Sequence, residues 1–186
     1  MNIMIVGVGG QGTLLASRIL GNIVIEEGYD VKVSEVHGMS QRGGSVVTYV
    51  KFGDKVYSPI IDKGEADIIL AFEMLEAYRA LPYLKKDGVM VINSTRIDPM
   101  PVITGAMEYP KDIIKKLKEK VNVIELDSTK IATELGNPKC ANVVLIGAFA
   151  RELDIPYEKW IEVIKNTVPA KYVELNIKAF ERGTQS

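Results

Sequence analysis

The first 28 residues contain the feature that most constrains the fold, a glycine-rich turn between an apolar run and a segment of helical periodicity. Residues 2–6 (NIMIV) have the pattern of a buried strand, and residues 7–12 (GVGGQG) interrupt it. Residues 13–27 then repeat apolar side chains at helical spacing and end before Gly28, a typical C-terminal glycine. A strand at 30–36 would complete a βαβ unit with parallel strands.

The remaining patterns predict an α/β fold. Residues 45–52 alternate as a strand, and a turn at Gly53–Asp54 would return the chain along 55–58 as a β-hairpin. Further strands are predicted at 66–72, 89–93 and 121–126, and helices at 74–85, 111–120, 128–135, 142–153, 157–166 and 171–182. Residues 96–110 contain three prolines and are predicted to be irregular, with a short strand near Val102. We expect one Rossmann-like domain over residues 1–186, a mainly parallel sheet with a β-hairpin insertion and a helical C-terminal third.

Composition excludes several classes of function. A formal net charge of −1 argues against nucleic-acid and membrane-surface binding, which need a basic excess. The sequence has neither a signal-peptide pattern nor an apolar run of about 18 residues, so we expect a cytoplasmic protein. One cysteine, Cys140, and one histidine cannot supply a disulfide, a four-cysteine cluster or a recognisable metal site. Cys140 is expected to be a buried structural residue near a helix start.

The glycine turn is the candidate cofactor-binding element. Its sequence satisfies G-x-G-x-x-G between a strand and a helix, the context in which backbone amides and a helix N-terminus bind phosphate. The candidate residues are Gly7, Gly9, Gly10, Gln11 and Gly12. A purely structural turn is the alternative. A nicotinamide dinucleotide would also need an acidic residue after the second strand, for which Glu35 is the one candidate, and no second nicotinamide-binding half is evident.

The loop after the second strand is the candidate substrate or interface element. It combines an imidazole, a hydroxyl, an amide and a guanidinium between glycines, and the candidate residues are His37, Ser40, Gln41, Arg42, Gly43 and Gly44. The alternative is a polar loop that caps backbone groups or contacts another subunit. Two further candidates lie elsewhere. Glu73 follows a buried strand, at the edge where α/β sheets bind ligands, and Asn142 is predicted to cap an apolar helix.

Two motifs together carry a family resemblance. VGVGGQGT at 6–13, followed by EVHGMSQRGGSV at 35–46, resembles the gamma-type subunits and domains of 2-oxoacid:ferredoxin oxidoreductases. Within that family the chain is most similar to the small (beta) subunits of the indolepyruvate enzymes. The resemblance extends nearly end to end through YSP at 57–59, GEAD at 64–67, LAFE at 70–73, NVVLIGA at 142–148 and ELNIKAFERG at 174–183, which includes Asn176.

The resemblance implies a subunit of an enzyme that oxidatively decarboxylates a 2-oxoacid to an acyl-CoA and reduces ferredoxin. Thiamine diphosphate, magnesium and iron–sulfur clusters are then expected in a large partner subunit, with ferredoxin engaged through the complex. This chain would hold no cofactor, metal or catalytic residue of its own and would complete the active site or coenzyme A site. In isolation it would be inactive and could form a homo-oligomer. A ligand-free assembly module and a stand-alone NAD-binding protein remain the alternatives.

Overall fold

A single six-stranded sheet organises the molecule, which a computed structural model describes over residues 1–38 and 43–186. The strands are β1 (Asn2–Val8), β2 (Asp30–His37), β3 (Ser45–Gly53), β4 (Ala66–Ala71), β5 (Leu84–Asn93) and β6 (Asn122–Leu126). Their order across the sheet is β2-β3-β1-β4-β5-β6. β1, β4, β5 and β6 pair in parallel, whereas β3 pairs antiparallel with both β2 and β1. This arrangement confirms the predicted α/β class and its mainly parallel sheet.

Helices cover both faces of the sheet. Their bounds are α1 (Thr13–Glu26), α2 (Met74–Ala80), α3 (Met100–Ile103), α4 (Ile113–Lys118), α5 (Ser128–Glu134), α6 (Ala141–Ala150), α7 (Tyr157–Thr167) and α8 (Val173–Thr184). Short 3-10 turns occupy Leu81–Tyr83, Pro138–Cys140 and Ala170–Tyr172. The last four helices form the predicted helical C-terminal third. No helix in the described ranges is long and apolar enough to cross a membrane.

Alternating side chains of the central strands build two cores. Ile3 and Ile5 of β1 face α1 and the C-terminal helices, while Met4 and Val6 face α2 and α4. The larger core contains Trp160, whose ring stacks on Phe180 at a centroid distance of 5.7 Å. Burial on both faces explains why β1 reads as a continuous apolar run and not as an alternating one.

Helix α6 passes through the interior and touches α8 backbone to backbone. Residues 142–150 of α6 are all buried. A Cβ added to Gly147 would overlap the backbone oxygen of Phe180, and one added to Gly183 would overlap the backbone oxygen of Val144. Two facing glycines therefore set the distance between these helices, and this pairing was not predicted from the sequence.

The structure corrects the predicted hairpin. Residues 55–58 do not form a strand, and the strand that forms a hairpin with β3 is β2, in register from Asp30↔Gly53 to His37↔Val46. β1 and β2 run in the same direction, as predicted, but β3 lies between them. The strand β3 therefore lies beside β1, in the position that the second strand of a simple βαβ unit would have.

Three local predictions were also wrong. The helix predicted over 74–85 ends at Ala80 because Pro82 leads into a 3-10 turn, and β5 already begins at Leu84. Residues near Val102 form the short helix α3 and not a strand. Asn142 does not cap α6, which begins at Ala141 with Cys140 in the cap position. Cys140 is buried, as expected, and burial raises the pKa of its thiol.

Candidate functional site

The carboxyl ends of the parallel strands meet at one edge of the sheet, and the glycine turn lies at its centre. From β1 the chain passes to β2 and β3 on one side of the sheet, and β4, β5 and β6 lie on the other. Such a switch point leaves a crevice beyond the strand ends, where open α/β sheets bind ligands. The topology thus places the turn at 7–12 where a ligand site is expected.

The glycine turn is hydrogen-bonded to the end of the following loop. The amide of Gly9 donates to the carbonyl of Gly44 over 2.8 Å, and the amide of Gly43 donates to the carbonyl of Gly9 over 3.4 Å. Gly43 has a φ of 77°, a backbone conformation that favours glycine. These bonds extend the β1–β3 ladder past Val8. The structure thus brings two predicted site elements together, and it engages the amide of Gly9.

Gln11 fixes the turn from the inside. Its side-chain oxygen accepts a hydrogen bond from the amide of Val8 (2.7 Å), and its side-chain nitrogen donates to the carbonyl of Phe72 (2.8 Å). A Cβ on Gly7 would lie 3.0 Å from that Gln11 oxygen, so Gly7 leaves room for the amide group. Gln11 therefore ties β1 to the end of β4 and stabilises the turn.

Helix α1 begins at the turn without a side-chain cap. Its N-cap residue is Gly12, with a φ of 84°, and the first turn contains no acidic residue. The amides of Thr13 and Leu14 have no intrahelical acceptor at this position, so the helix start offers donors and a partial positive charge. A Cβ on Gly12 would overlap the side-chain amide of Asn142 at the start of α6. Gly12 thus leaves room for the side chain of Asn142 at the start of α6.

A first crevice of about 370 Å³ separates the glycine turn from β2 and β3. One wall consists of Gly9, Gly10, Gly12, Thr13 and Leu14, and the other consists of Glu35, His37 and Val46. Nδ1 of His37 lies 3.4 Å from a carboxylate oxygen of Glu35. The structure therefore places His37 and Glu35 opposite the start of α1, a juxtaposition that the sequence left undecided.

A second crevice of about 560 Å³ lies on the other side of the turn, above β1, β4 and β5. Its polar lining includes Gln11, Asn93, Thr95, Thr129 and Lys139. The amide nitrogen of Asn93 donates to Phe72 O (3.2 Å) and to the Thr129 hydroxyl (3.1 Å). Gly10 and Gly12 line both crevices, so a ligand that crosses the turn from one crevice to the other would contact these two glycines.

Glu73 proves to be a buried anchor. Its carboxylate accepts hydrogen bonds from the amide of Glu76 (2.9 Å), the amide of Ile97 (3.1 Å) and the hydroxyl of Tyr109 (2.6 Å). Burial and the bond to Glu73 raise the pKa of Tyr109 well above its usual range. The guanidinium of Arg96 lies over the Tyr109 ring at 4.3 Å. Glu73 thus ties the irregular segment after β5 to the start of α2.

A second buried carboxylate, Glu76, was not predicted from the sequence. It accepts a hydrogen bond from the hydroxyl of Ser45 (2.6 Å) and pairs with Arg79 at 2.6 Å. Ser45 is the first residue of β3, so Glu76 anchors the segment that follows Gly43 and Gly44. Its position three residues after Glu73, in the first turn of α2, was the sequence signal for a second carboxylate at this edge. The distant partner Ser45 could not be inferred from the sequence.

A third groove lies away from the glycine turn, beside α3 and α4. Its volume is about 820 Å³, and Met74, Met107 and Tyr109 are among its lining residues. The side chains of Met100, Ile103 and Met107 in this region are about two-thirds exposed. Among residues 1–38 and 43–186, the lining of this groove includes none of the predicted site residues.

Several predicted residues lie elsewhere. Ser40, Gln41 and Arg42 fall outside the described residues. Asn176 is buried in α8, where its side chain donates to the carbonyl of Tyr172 over 2.8 Å. Within residues 1–38 and 43–186, no three or more His, Cys, Asp or Glu side chains converge on a metal position.

Comparisons with known proteins relate the whole chain to one enzyme family. The family model described as "Pyruvate ferredoxin/flavodoxin oxidoreductase" matches residues 2–186. The chain is 46% identical to the indolepyruvate oxidoreductase subunit IorB of Pyrococcus horikoshii, across 100% of this chain and 95% of that protein.

Solved structures share the fold. The gamma subunit of a keto/oxoacid ferredoxin oxidoreductase from Geobacter sulfurreducens superposes with a TM-score of 0.73 at 24% identity, over 99% of this chain and 96% of that one. The 2-oxoglutarate:ferredoxin oxidoreductase of Magnetococcus marinus, with 2-oxoglutarate, coenzyme A and succinyl-CoA bound, gives a TM-score of 0.71 at 17% identity. That match covers 100% of this chain and 30% of the longer one.

Proposed function

The chain belongs to the pyruvate ferredoxin/flavodoxin oxidoreductase family, and from this premise we propose that it is the small, cluster-free subunit of a thiamine-dependent 2-oxoacid:ferredoxin oxidoreductase. The enzyme decarboxylates its 2-oxoacid oxidatively and forms an acyl-CoA. The full-length match to relatives that are themselves subunits carries this proposal. In it, the present chain completes the coenzyme A site or the active site of a larger partner.

Indolepyruvate or another aryl pyruvate is the proposed substrate. The support is the similarity to the indolepyruvate oxidoreductase subunit of Pyrococcus horikoshii, which is 46% identical over the full length of this chain. The pocket that selects the 2-oxoacid is assigned to the large subunit. A panel of indolepyruvate, phenylpyruvate, pyruvate and 2-oxoglutarate tests this, and the aryl pyruvates should give the highest kcat/KM.

The start of α1 is the proposed contact for a phosphate of coenzyme A. The amide of Gly9 already donates to Gly44, so the available donors are those of the first helical turn, at Thr13 and Leu14. Gly10 has a φ of 103° and nothing within 4 Å of the place where a Cβ would lie, so a ligand can approach its backbone closely. These features fit an elongated phosphate-bearing ligand that crosses the turn between the two crevices.

A stand-alone NAD-binding role fits the geometry less well. In dinucleotide sites the acidic residue that binds the ribose follows the strand next to the glycine turn. Here β3 lies between β1 and β2, which places Glu35 two strand spacings, about 10 Å, from β1. The engaged amide of Gly9 also removes a donor from the turn. Tight NAD binding by the purified chain would contradict our proposal.

Thiamine diphosphate, magnesium and the clusters are assigned to the large subunit. One cysteine cannot supply the four thiolates that a cluster usually requires. The chain in isolation is therefore proposed to be inactive. Its exposed apolar side chains, among them Met100, Ile103 and Met107, support a protein that works in a complex or self-associates alone. Ferredoxin would be engaged through that complex.

Coenzyme A binding separates the proposal from a ligand-free assembly module. The measurement is calorimetric titration of the assembled oxidoreductase with coenzyme A, in wild type and in Gly10→Ala. Weaker binding in the variant is expected because a Cβ would occupy open space beside Gly10, a residue that lines both crevices. Unchanged affinity in a folded, assembled variant would favour the assembly module.

A further inference from the structure

A buried hydroxyl, a carboxylate and an imidazole form a series that ends in the first crevice, which the carboxylate and the imidazole line. Thr48 and Glu35 are cross-strand partners on β3 and β2, and His37 follows two residues after Glu35 on the same face. The Thr48 hydroxyl, fully buried, donates to one oxygen of the Glu35 carboxylate over 3.3 Å. The other oxygen lies 3.4 Å from Nδ1 of His37. Each member of the series thus restricts the next.

Solvent exposure increases along the series from Thr48 to His37. The side chain of Glu35 is 26% exposed and that of His37 is 48% exposed, so the series runs from the protein interior to the crevice. The facing wall is the uncapped start of α1, at Gly12, Thr13 and Leu14. A carboxylate close to Nδ1 favours the tautomer in which Nδ1 carries the proton and Nε2 is free to accept a hydrogen bond.

We propose that Glu35 is a positioning residue that, held by Thr48, fixes His37 as a hydrogen-bond acceptor for a neutral donor group of a ligand in this crevice. The donor is a thiol or a hydroxyl. An anionic ligand group is disfavoured on this wall of the crevice, opposite the start of α1, because the carboxylate of Glu35 repels it. The identification of the ligand as coenzyme A rests on the proposed function, whereas the tautomer of His37 does not.

The tautomer can be measured on the full chain because His37 is its only histidine. Two-dimensional ¹H–¹⁵N NMR of the imidazole at about pH 9, where imidazoles are ordinarily neutral, distinguishes the two nitrogens. Wild type should give the Nδ1–H tautomer, and Glu35→Gln should shift the ring toward Nε2–H. Thr48→Val should shift it in the same direction by a smaller amount, and Glu35→Asp should restore part of the wild-type signal. The matched control is Glu125→Gln on the opposite edge strand, which should leave the signal unchanged.

A wild-type ring in the Nε2–H form, or a signal unaffected by Glu35→Gln in a folded variant, would overturn the inference. In the assembled oxidoreductase, Glu35→Gln and His37→Gln should each raise the KM for coenzyme A about 10-fold, and the double variant should equal His37→Gln alone. An undiminished effect of Glu35→Gln in the His37→Gln background would contradict a role through His37.

One result separates this inference from the proposed function, and two others identify the donor group. The predicted tautomer in a chain whose partner complex needs no coenzyme A would support the Glu35–His37 pair and contradict the proposed function. If binding of desulfo-coenzyme A is insensitive to Glu35→Gln while binding of coenzyme A is weakened, the donor is the thiol. If both are weakened equally, the donor is a hydroxyl.

Discussion

The amide of Gly9 donates to the carbonyl of Gly44 over 2.8 Å, and this bond joins the two glycine-rich segments of the chain into one structural unit. The segments are separated by a helix and a strand in the sequence, yet they meet at the carboxyl edge of the sheet. The second glycine of the turn is therefore used for internal pairing. In the proposed function, the ligand-binding surface therefore consists of Gly10 and the start of α1.

Gly10 and Gly28 provide a matched pair of substitutions. Both have positive φ, 103° and 87°, and at neither position does any atom lie within 4 Å of the place that a Cβ would occupy. Alanine at either should cost about 1–2 kcal/mol of unfolding free energy, because an L side chain is strained there. Only Gly10→Ala should also raise the KM for coenzyme A, by about 10-fold or more. Urea denaturation and steady-state kinetics check this, and an equal kinetic effect of Gly28→Ala would contradict it.

Gly12→Ala should destabilise the chain more than Gly10→Ala. The new Cβ would be strained at a φ of 84° and would overlap the side-chain amide of Asn142. We expect Gly12→Ala to lower the unfolding free energy by at least about 2 kcal/mol. When it is combined with Asn142→Ala, the total loss should be smaller than the sum of the two single losses. A thermodynamic double-mutant cycle measures the coupling. Strict additivity would mean that the overlap with Asn142 is relieved elsewhere.

The contact between α6 and α8 should not tolerate a methyl group. Gly147→Ala and Gly183→Ala each place a Cβ against backbone of the opposite helix, which cannot rotate away. We expect each to lower the unfolding free energy by about 3 kcal/mol or to prevent folding. The control is Gly21→Ala in α1, whose Cβ would lie 3.8 Å from Val33 and should be neutral or stabilising. Similar denaturation midpoints for all three variants would contradict the packing.

Tyr109→Phe should destabilise the chain in a pH-dependent way. Loss of the bond to the Glu73 carboxylate should cost about 2 kcal/mol at neutral pH. Because the folded-state pKa of Tyr109 is raised above the ordinary value of about 10, this contribution is complete below pH 10 and declines as the pH rises further. The stability difference between wild type and variant should therefore shrink above pH 10. Tyr57→Phe, at an exposed side chain, is the control and should change stability little at any pH.

Periodicity predicted most of the elements. The apolar run at 2–6, the glycine turn and the helical spacing after it led to β1 and α1 with errors of one or two residues, since burial of these elements is encoded locally. Strand pairing was not local in the same way. The alternation at 45–52 predicted β3 but could not reveal that its partners are β2 and β1, because either neighbour satisfies the same pattern.

The sequence predicted where the glycine turn would lie, but not the contacts around it. The glycine motif predicted a turn between a strand and a helix, and Glu35 was the one acidic candidate on the second strand. The pairing of Gly9 with Gly44 and the buried carboxylates of Glu73 and Glu76 depend on contacts between distant segments. No local pattern encodes such contacts, because each partner alone is typical of a surface loop or a helix start.

The proposed subunit role is tested most directly by reconstitution. The present chain and its large partner should be expressed separately and together, and 2-oxoacid-dependent and coenzyme A-dependent reduction of ferredoxin should be measured in each preparation. We predict turnover of indolepyruvate by the co-expressed pair and none by this chain alone, with Gly10→Ala raising the KM for coenzyme A in the pair. Full activity of the large subunit without this chain would contradict the account.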